Sequence, residues 1–386
     1  MDREAAVRLV TQLLRMVKER GASDLFFTAG FPPAMKIDGE LRPVMDRPLN
    51  AQQAALVVRS IMNDRQLRDF EATNECNFAI SPQDIGRFRV NAFVQQNNTG
   101  AVLRPITTEI PTFEQLELPD TLRSVCMAKH GMVLMVGATG SGKSTSLAAM
   151  LGHRNGNSFG HIVTIEDPIE FVHPHRQCVI TQREVGVDTQ TWDNALKNTL
   201  RQAPDVILIG EIRTRETMEY AINFAETGHL VLSTLHANSS NQALDRIINF
   251  FPEDKREQVL MDLSLNLRAI VAQRLVRREN GGRKAAVEIM LNSPLVSDLI
   301  FKGEVAGIKE TMTRSREQGM QTFDQHLFEL FEAGDISYEE ALRNADSQNE
   351  LRLRIKLESK RASRDLYNDP DVQKMSMHED TEQRRW

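Results

Sequence analysis

This chain of 386 residues has little of what marks a secreted, membrane-spanning or metal-clustered protein. It has only three cysteines, Cys76, Cys126 and Cys178, which stand far apart and form no C-x-x-C pair, so neither a disulfide framework nor a zinc module is expected. No apolar run approaches the ~20 residues that a membrane-spanning helix needs. The opening MDREAAVRLV carries acidic residues and no long apolar stretch, so it does not read as a secretory signal. Together these absences point to a reducing cytoplasm. Aromatics are sparse at 6%, no run interleaves them with basic residues, and the formal net charge is −6. Both features weigh against nucleic acid as the main partner. No LSGGQ-like run is present, which disfavours an ABC-type ATPase, and there is no internal repeat. What remains is ordinary globular composition, 41% hydrophobic and 26% charged, in a chain long enough for two or three cores.

The strongest positive feature is the run from Gly137 to Thr145, GATGSGKST. It contains G-x-x-x-x-G-K-[ST], read as Gly137, Gly142, Lys143 and Ser144. Val133 to Val136 reads as a buried strand before it, and Ser144 to Leu151 as the start of a helix after it. That context supplies the chemistry. Glycines let the backbone N–H groups of Gly137, Ala138, Thr139, Gly140, Ser141 and Gly142 turn toward phosphate oxygens. The helix N-terminus adds its positive dipole end. Lys143 can reach the β- and γ-phosphates, and Ser144 can ligate Mg²⁺, with Thr145 beside it. The chain is therefore expected to bind ATP and Mg²⁺.

Organisation along the chain follows from periodicity. Residues 3–19 place Ala6, Val10, Leu13, Leu14 and Val17 at helical spacing, and Gly21 stops the helix. Short strands are expected at 25–27, 35–37 and 41, with an Asp38-Gly39 hairpin turn, then a helix over 52–62 and strands at 87–93 and 100–105. Residues 1–104 read as a mixed α/β N-terminal domain and 105–119, rich in Thr, Pro and Glu, as a linker. Strands at 132–136, 161–165, 206–209 and 230–234 alternate with helices near 143–151, 193–201 and 215–226, which implies a parallel sheet with crossover helices across 120–291. Residues 254–274 carry Val259, Leu263, Leu267, Ile270 and Val271 on one stripe and read as a helix. A helical segment follows over 292–346, with helices near 293–302, 322–333 and 337–345. Over 347–386 the chain changes character: Leu351, Leu353, Ile355 and Leu357 alternate with charged residues at a strand period, and 368–386 reads as disordered.

Further constellations surround the P-loop. Val206 to Ile209 ends in Gly210-Glu211, where a carboxylate can hold Mg²⁺ or polarise an attacking water. Glu166, Asp167 and Glu170 crowd three carboxylates after another strand, which a cation would stabilise. His229 and His236 bracket the strand 230–234. Arg87, Arg89 and Arg104 lie on two strands outside the P-loop domain, where arginines can reach a phosphate as fingers. Solvated loop acids, structural histidines and solvated strand arginines remain the plain alternatives at each of these positions.

Taken in order, SDL…AG.PP…DG.L, RFRVN, VLR, GATGSGKST, TIEDPIEF, REVG.DT, R..PDVILIGEIR, TGHLVLSTLHAN and D..I.FFP resemble the secretion ATPase superfamily of RecA-like hexameric motors, over roughly residues 3 to 345. Within it the chain most resembles the pilus retraction ATPases of the PilT/PilU group. It lacks the tetracysteine module of the extension and type II secretion ATPases and leaves no room before Asp24 for their extra N-terminal domain. The resemblance implies a PAS-like N-terminal domain, a RecA-like ATPase domain with a helical C-terminal part, and a homohexamer. It matches Glu166, Asp167 and Glu170 to the Asp box, His229 and His236 to the His box, and Glu211 to the Walker B glutamate. Arg89 and Arg104, with Arg87 less clearly, match arginines that reach nucleotide when the N-terminal domain closes. Glu211 is favoured as general base, Glu170 or Glu166 next; Ser144, Glu211 and Asp167 are the metal candidates. Ser293 to Ile300, SPLVSDLI, departs from the AIRNLI-type motif, and the chain continues well past Asn344. Both departures point to the PilU-like accessory type. The implied partners are a paralogous retraction ATPase and an inner-membrane platform protein, placing the chain in the cytoplasm at the pilus base.

Overall fold

The computed structural model describes residues 1–107 and 109–361. Contacts divide the chain into two units: Met1–Ile110 with Phe159–Pro204, and Pro111–Ser158 with the chain from Asp205 onward.

The first unit opens with α1 (Arg3–Glu19), capped by the Asp2 carboxylate on Ala5 N at 2.8 Å and burying the expected stripe from Ala6 to Val17. There follow β1 (Asp24–Phe27), β2 (Ala34–Ile37), β3 (Glu40–Pro43), α2 (Ala51–Ser60), α3 (Asp64–Thr73), β4 (Glu75–Ile80), β5 (Phe88–Gln95) and β6 (Asn98–Pro105). The six strands form an antiparallel sheet in the order β3-β2-β1-β6-β5-β4. Its tight turns follow from side-chain chemistry. Asp38 and Gly39 take φ of 52° and 85° between β2 and β3, the left-handed pair that a two-residue hairpin requires. The elements α3 and β4 go beyond the sequence expectation. Asn63 and Gln66 close a reciprocal capping box at the start of α3, a local signal masked by the polar character of DRQLRDFEAT.

The second unit begins with α4 (Phe113–Leu116), α5 (Thr121–Cys126), β7 (Gly131–Val136) and α6 (Lys143–Asn157). The chain then returns to the first unit for β8 (Gly160–Glu166), β9 (Cys178–Glu184) and α7 (Trp192–Thr199), with β8 and β9 pairing in parallel. Thr107 bridges Phe171, which joins this segment to the end of the six-stranded sheet's chain. The second unit resumes with β10 (Val206–Ile209), α8 (Arg215–Glu226), β11 (Leu230–Leu235), α9 (Ser240–Asn249), α10 (Arg256–Asn266), β12 (Leu267–Arg277) and β13 (Arg283–Leu291). It closes with α11 (Pro294–Phe301), α12 (Ile308–Arg314), α13 (Phe323–Glu332), α14 (Tyr338–Asn344) and α15 (Gln348–Glu358).

Its strands lie in the order β13-β12-β7-β11-β10, with β12, β7, β11 and β10 parallel and β13 antiparallel. Every residue of β7, β10 and β11 is buried, as strands covered on both faces must be. That explains their unbroken apolar runs and puts the P-loop at the C-terminal end of β7. The fold is thus mixed α/β, with an N-terminal domain and a RecA-like ATPase domain. No helix among the described residues is long and apolar enough to cross a membrane.

Two expectations are corrected. The stripe read as one helix over 254–274 is α10 followed by β12. Leu267 turns extended at φ −66°, ψ 140°, and Ile270 and Val271 pair with Leu134 and Met135 of β7. The apolar residues satisfy both periods, and sheet pairing decides between them. The alternating segment from Leu351 to Leu357 is not a strand but α15. Leu351 and Ile355, four apart, are buried, while Leu353 and Leu357 are 57% and 73% exposed. Without a partner strand, a run of Leu, Arg, Lys and Glu takes the helix its propensities favour. The expected disorder of 368–386 lies outside the described residues.

Candidate active site

The P-loop joins β7 to α6 through glycines that no other residue could replace. Gly137 and Gly142 have φ of 154° and 87°. A Cβ on Gly137 would meet Gln273 O and Ser141 Oγ at 2.5 Å, and one on Gly142 would meet Gln273 Nε2 at 2.7 Å. Gly142 is the N-cap of the fifteen-residue α6, so the dipole end of that helix faces the loop. Lys143 is buried and donates Nζ to Gly137 O at 2.8 Å and Ala138 O at 2.9 Å. Burial pulls its ammonium below the ordinary lysine range, and the charge of Glu211 opposes that shift.

A cavity of about 330 Å³ lies against Gly137, Ala138, Thr139, Gly140 and Ser141, walled by Asn238, Gln273, Arg274, Leu275 and Arg283. The Ser141 hydroxyl is buried there without a partner. An unpaired hydroxyl in a glycine cradle fits an anionic ligand such as a phosphate.

Glu211 stands just past β10, and two backbone ties fix it. Ser233 Oγ donates to Ile209 O at 2.6 Å, and Thr234 Oγ1 donates to Gly210 O at 2.7 Å, so the ends of β10 and β11 are locked in register. Ile212 N then donates to Thr234 O at 2.9 Å. Arg213 holds one carboxylate oxygen, with Nη2 2.7 Å from Oε2 and Nε donating to it at 2.8 Å; the other oxygen, Oε1, is buried without a hydrogen-bond partner, although His236 Nε2 stands 2.6 Å away. The departure of Gly210 from the usual aspartate leaves Glu211 as the acid at this strand end.

His229 is elsewhere. It precedes β11 at its N-terminal end, where Nδ1 lies 3.1 Å from Phe224 O, while His236 follows the strand at the other end. Seven steps at ~3.3 Å each put roughly 23 Å between the two histidines. The second unit therefore brings together the P-loop, Glu211 and His236, and leaves His229 on the far side of its sheet.

For a metal, Ser144 sits exposed in the first turn of α6, and Glu211 supplies a carboxylate. Among the described residues no group of three or more His, Cys, Asp or Glu is placed to hold a metal ion. That donor set fits Mg²⁺, which binds through few protein ligands and takes the rest from phosphates and water. Asp167, the third metal candidate, belongs to the first unit.

The first unit holds the remaining candidates. Glu166 ends β8 and is buried, with Thr164 Oγ1 donating to it at 2.6 Å and Gln182 Nε2 at 3.2 Å. Burial pushes its carboxyl up to about 7. Asp167 and Glu170, on the loop that follows, are exposed. Arg89 of β5 lies directly opposite Arg104 of β6, so these two share one face of the sheet, and Arg87 stands one residue before β5. Arg104 pairs with Asp24 of β1 at 2.8 Å. Arg87 lies 3.8 Å from Glu184 and 3.6 Å from Asp188. Arg89 makes no hydrogen bond or ion pair among the described residues. Sequence reasoning missed Asp24, Glu184, Asp188 and Gln273. The motif REVG.DT contained Glu184 and Asp188, but gave no sign that they face Arg87.

Residues 1–319 match the type II/IV secretion system protein family. The chain belongs to that family. It is 61% identical over 349 residues to the type IV pilus ATPase PilU of Pseudomonas aeruginosa, covering 90% of this chain and 91% of that protein. It is 42% identical to the type IV pilus retraction ATPase PilT of the same organism, covering 87% of this chain and 98% of the relative. Among solved structures, the pilus retraction motor PilT with bound ADP superposes with a TM-score of 0.81 at 39% identity, covering 88% of this chain and 98% of that one. These matches place the chain in the PilT/PilU group, as its motifs imply, and make it a nucleotide-binding ATPase.

Proposed function

We propose that this chain hydrolyses ATP to power type IV pilus retraction, as the accessory member of a PilT/PilU pair. The observation that carries the catalytic part is Glu211, held at the strand end by Arg213 with His236 Nε2 2.6 Å from its other oxygen, in the unit that bears the P-loop. In this reading the P-loop amides and Lys143 hold the phosphates, and Glu211 orients and polarises the attacking water, with His236 fixing the carboxylate. Mg²⁺, when bound by Ser144 and Glu211, neutralises charge on the β- and γ-phosphates. Arg89 and Arg104, with Arg87, are assigned to stabilising phosphate charge during the cycle, and Glu166, Asp167 and Glu170 to supporting the metal and the water. His229, far from the P-loop of its own chain, is assigned to a nucleotide site on a neighbouring copy, which requires a ring. That ring is proposed to be a homohexamer in the cytoplasm, working against a platform protein of the inner membrane.

The accessory role is supported by the SPLVSDLI segment and by the extension beyond Asn344. The test is ATP turnover of the purified chain against Lys143→Ala, joined to pilus retraction in cells carrying each as the sole retraction ATPase. Turnover with retraction only beside a second ATPase supports the accessory reading. Retraction by this chain alone makes it an autonomous motor. Stimulation of turnover by nucleic acid would favour a translocase instead.

A further inference from the structure

Two adjacent residues of β12 face opposite ways, as consecutive strand residues must, and they hold different things. Gln273 accepts from Ser146 Oγ at 2.8 Å and donates to Ser141 O at 2.8 Å, so it braces the P-loop. Arg274 braces the loop after β11. Its Nη2 donates to Asn238 O at 3.4 Å, two residues beyond His236. The same guanidinium donates to Asn344 O at 2.6 Å and to Asp346 Oδ1 at 2.7 Å, and it stacks on the Phe323 ring at 3.9 Å. Asn344 ends α14, and Asp346 belongs to the connector into α15. One side chain therefore ties the loop carrying His236 to the C-terminal connector.

The connector end of this tie is firmly held. Lys309 Nζ lies 2.8 Å from Asp346 Oδ2. Asp324 accepts from Asp346 N at 2.8 Å and from Ser347 N at 3.0 Å. Burial opposes ionisation of Asp346, but the bonds from Lys309 and Arg274 outweigh it and hold the carboxyl below its usual range. The loop end is not so enclosed. A cavity of about 380 Å³ lies beside it, walled in part by Asn238, Arg274, Lys309 and Asp346, and it shares Asn238 and Arg274 with the cavity at the P-loop. The loop has room to move on that side. Asn238 N is held by Gln242 of the adjoining α9 at 3.1 Å, and two links cross from this stretch to the sheet: Arg274 to Asn238 O, and Ser240 N to Glu288 of β13 at 2.7 Å.

We propose that Arg274 and Asp346 are positioning residues for ATP hydrolysis: Asp346 aims Arg274, and Arg274 holds the loop that presents His236 to Glu211. This rests on the reading of Glu211 and His236 as the hydrolytic pair. The planar fork suits the task, because one guanidinium reaches two acceptors on the connector and a third on the loop. Turnover thereby depends on the C-terminal connector, although no atom of that connector belongs to the catalytic machinery.

Steady-state turnover of the full chain tests this. Asp346→Asn and Arg274→Lys should each lower kcat about ten-fold while KM for ATP stays within about two-fold, because Gln273 still braces the P-loop. The double variant should be no worse than the poorer single one, since both act through one tie. Asp346→Glu, which keeps the carboxylate, should recover part of the lost kcat. Glu211→Gln, run alongside, separates the two levels of the argument. If Glu211→Gln loses turnover while Asp346→Asn and Arg274→Lys keep the wild-type kcat, the tie is only structural and the proposal is overturned, whatever happens to the melting temperature. Additive losses in the double variant would also overturn it. If Glu211→Gln keeps wild-type turnover, the hydrolytic pair itself is wrong. Should Asp346→Asn not fold, Arg274→Lys, which keeps the charge and the stem, asks the same question alone.

Discussion

The two units hold their charges in different ways. In the unit with the P-loop the two main candidates are held by short bonds: Lys143 caps Gly137 O and Ala138 O, and Arg213 grips one oxygen of Glu211. In the other unit Arg89 and Arg104 share one sheet face, with Arg87 just before β5, and the three are paired unevenly. Arg104 lies 2.8 Å from Asp24 but is 69% exposed, Arg87 is 3.6 Å or more from its two acids, and Arg89 makes no hydrogen bond or ion pair among the described residues, feeling only the longer-range charge of Glu184. Directly opposed like charges on neighbouring strands destabilise a sheet. The first arrangement is preorganised, which is where electrostatic catalysis draws its strength. The second is offset only in part by Asp24, Glu184 and Asp188, which leaves arginine charge to meet an anion. On the proposed reading, the chemistry falls to the first arrangement and the response to nucleotide charge to the second.

The sharpest way to break that contrast is to remove the engaged groups first. Lys143→Ala deletes a buried cation from the loop and should cut ATP turnover about 10²–10³-fold in a steady-state assay. Glu211→Gln keeps the shape but removes the charge that Arg213 grips and that the proposed mechanism uses to polarise water, and turnover should fall about 10²-fold with nucleotide binding retained. If nucleotide affinity collapses while the residual turnover rate is normal, Glu211 is a binding group and the division of labour is wrong.

The loose arginines should cost less. Arg89→Ala should lower kcat/KM for ATP about ten-fold without lowering the melting temperature, because Arg89 gives up no bond within the described residues. Arg104→Ala should lower it too, by a smaller factor, since Arg104 already spends part of its charge on Asp24. Unchanged turnover in both variants would remove the arginines from the mechanism and leave them as sheet-face charges.

How much of this was legible depends on how far apart the partners lie in sequence. The P-loop, β7, Glu211 and His236 were readable because each signal is local: a glycine pattern, an unbroken apolar run, an acid or a histidine at a strand end. Arg87 was readable as a candidate, but its partners Glu184 and Asp188 come from a segment that rejoins the first unit only after β7 and α6. Gln273 was invisible for a related reason. Its region carries apolar residues that fit a helix as well as a strand, and only pairing with β7 and β13 makes it β12. The same ambiguity hid α15, where an apolar residue at every second position satisfies a strand pattern while Leu351 and Ile355, four apart, anchor a helix. Local chemistry was legible; pairing between distant segments was not.

The smallest expected effect is the most specific to the first unit. Burial pushes the Glu166 carboxyl up to about 7, above the ordinary range near 4.3 that it has in an unfolded chain. The folded state therefore binds this proton more tightly than the unfolded state does. The stabilisation is fully present below the unfolded value and is lost as pH rises through about 7. Glu166→Gln keeps a neutral polar head of the same size at every pH. The variant should match or trail the wild type at pH 5 and gain on it by pH 8, by on the order of 2 kcal/mol or a few degrees of melting temperature. Thermal melts of both proteins at the two pH values give the answer directly. A difference between wild type and variant that does not change with pH would mean that Glu166 is ionised throughout, with a cation or an arginine already paying for its burial.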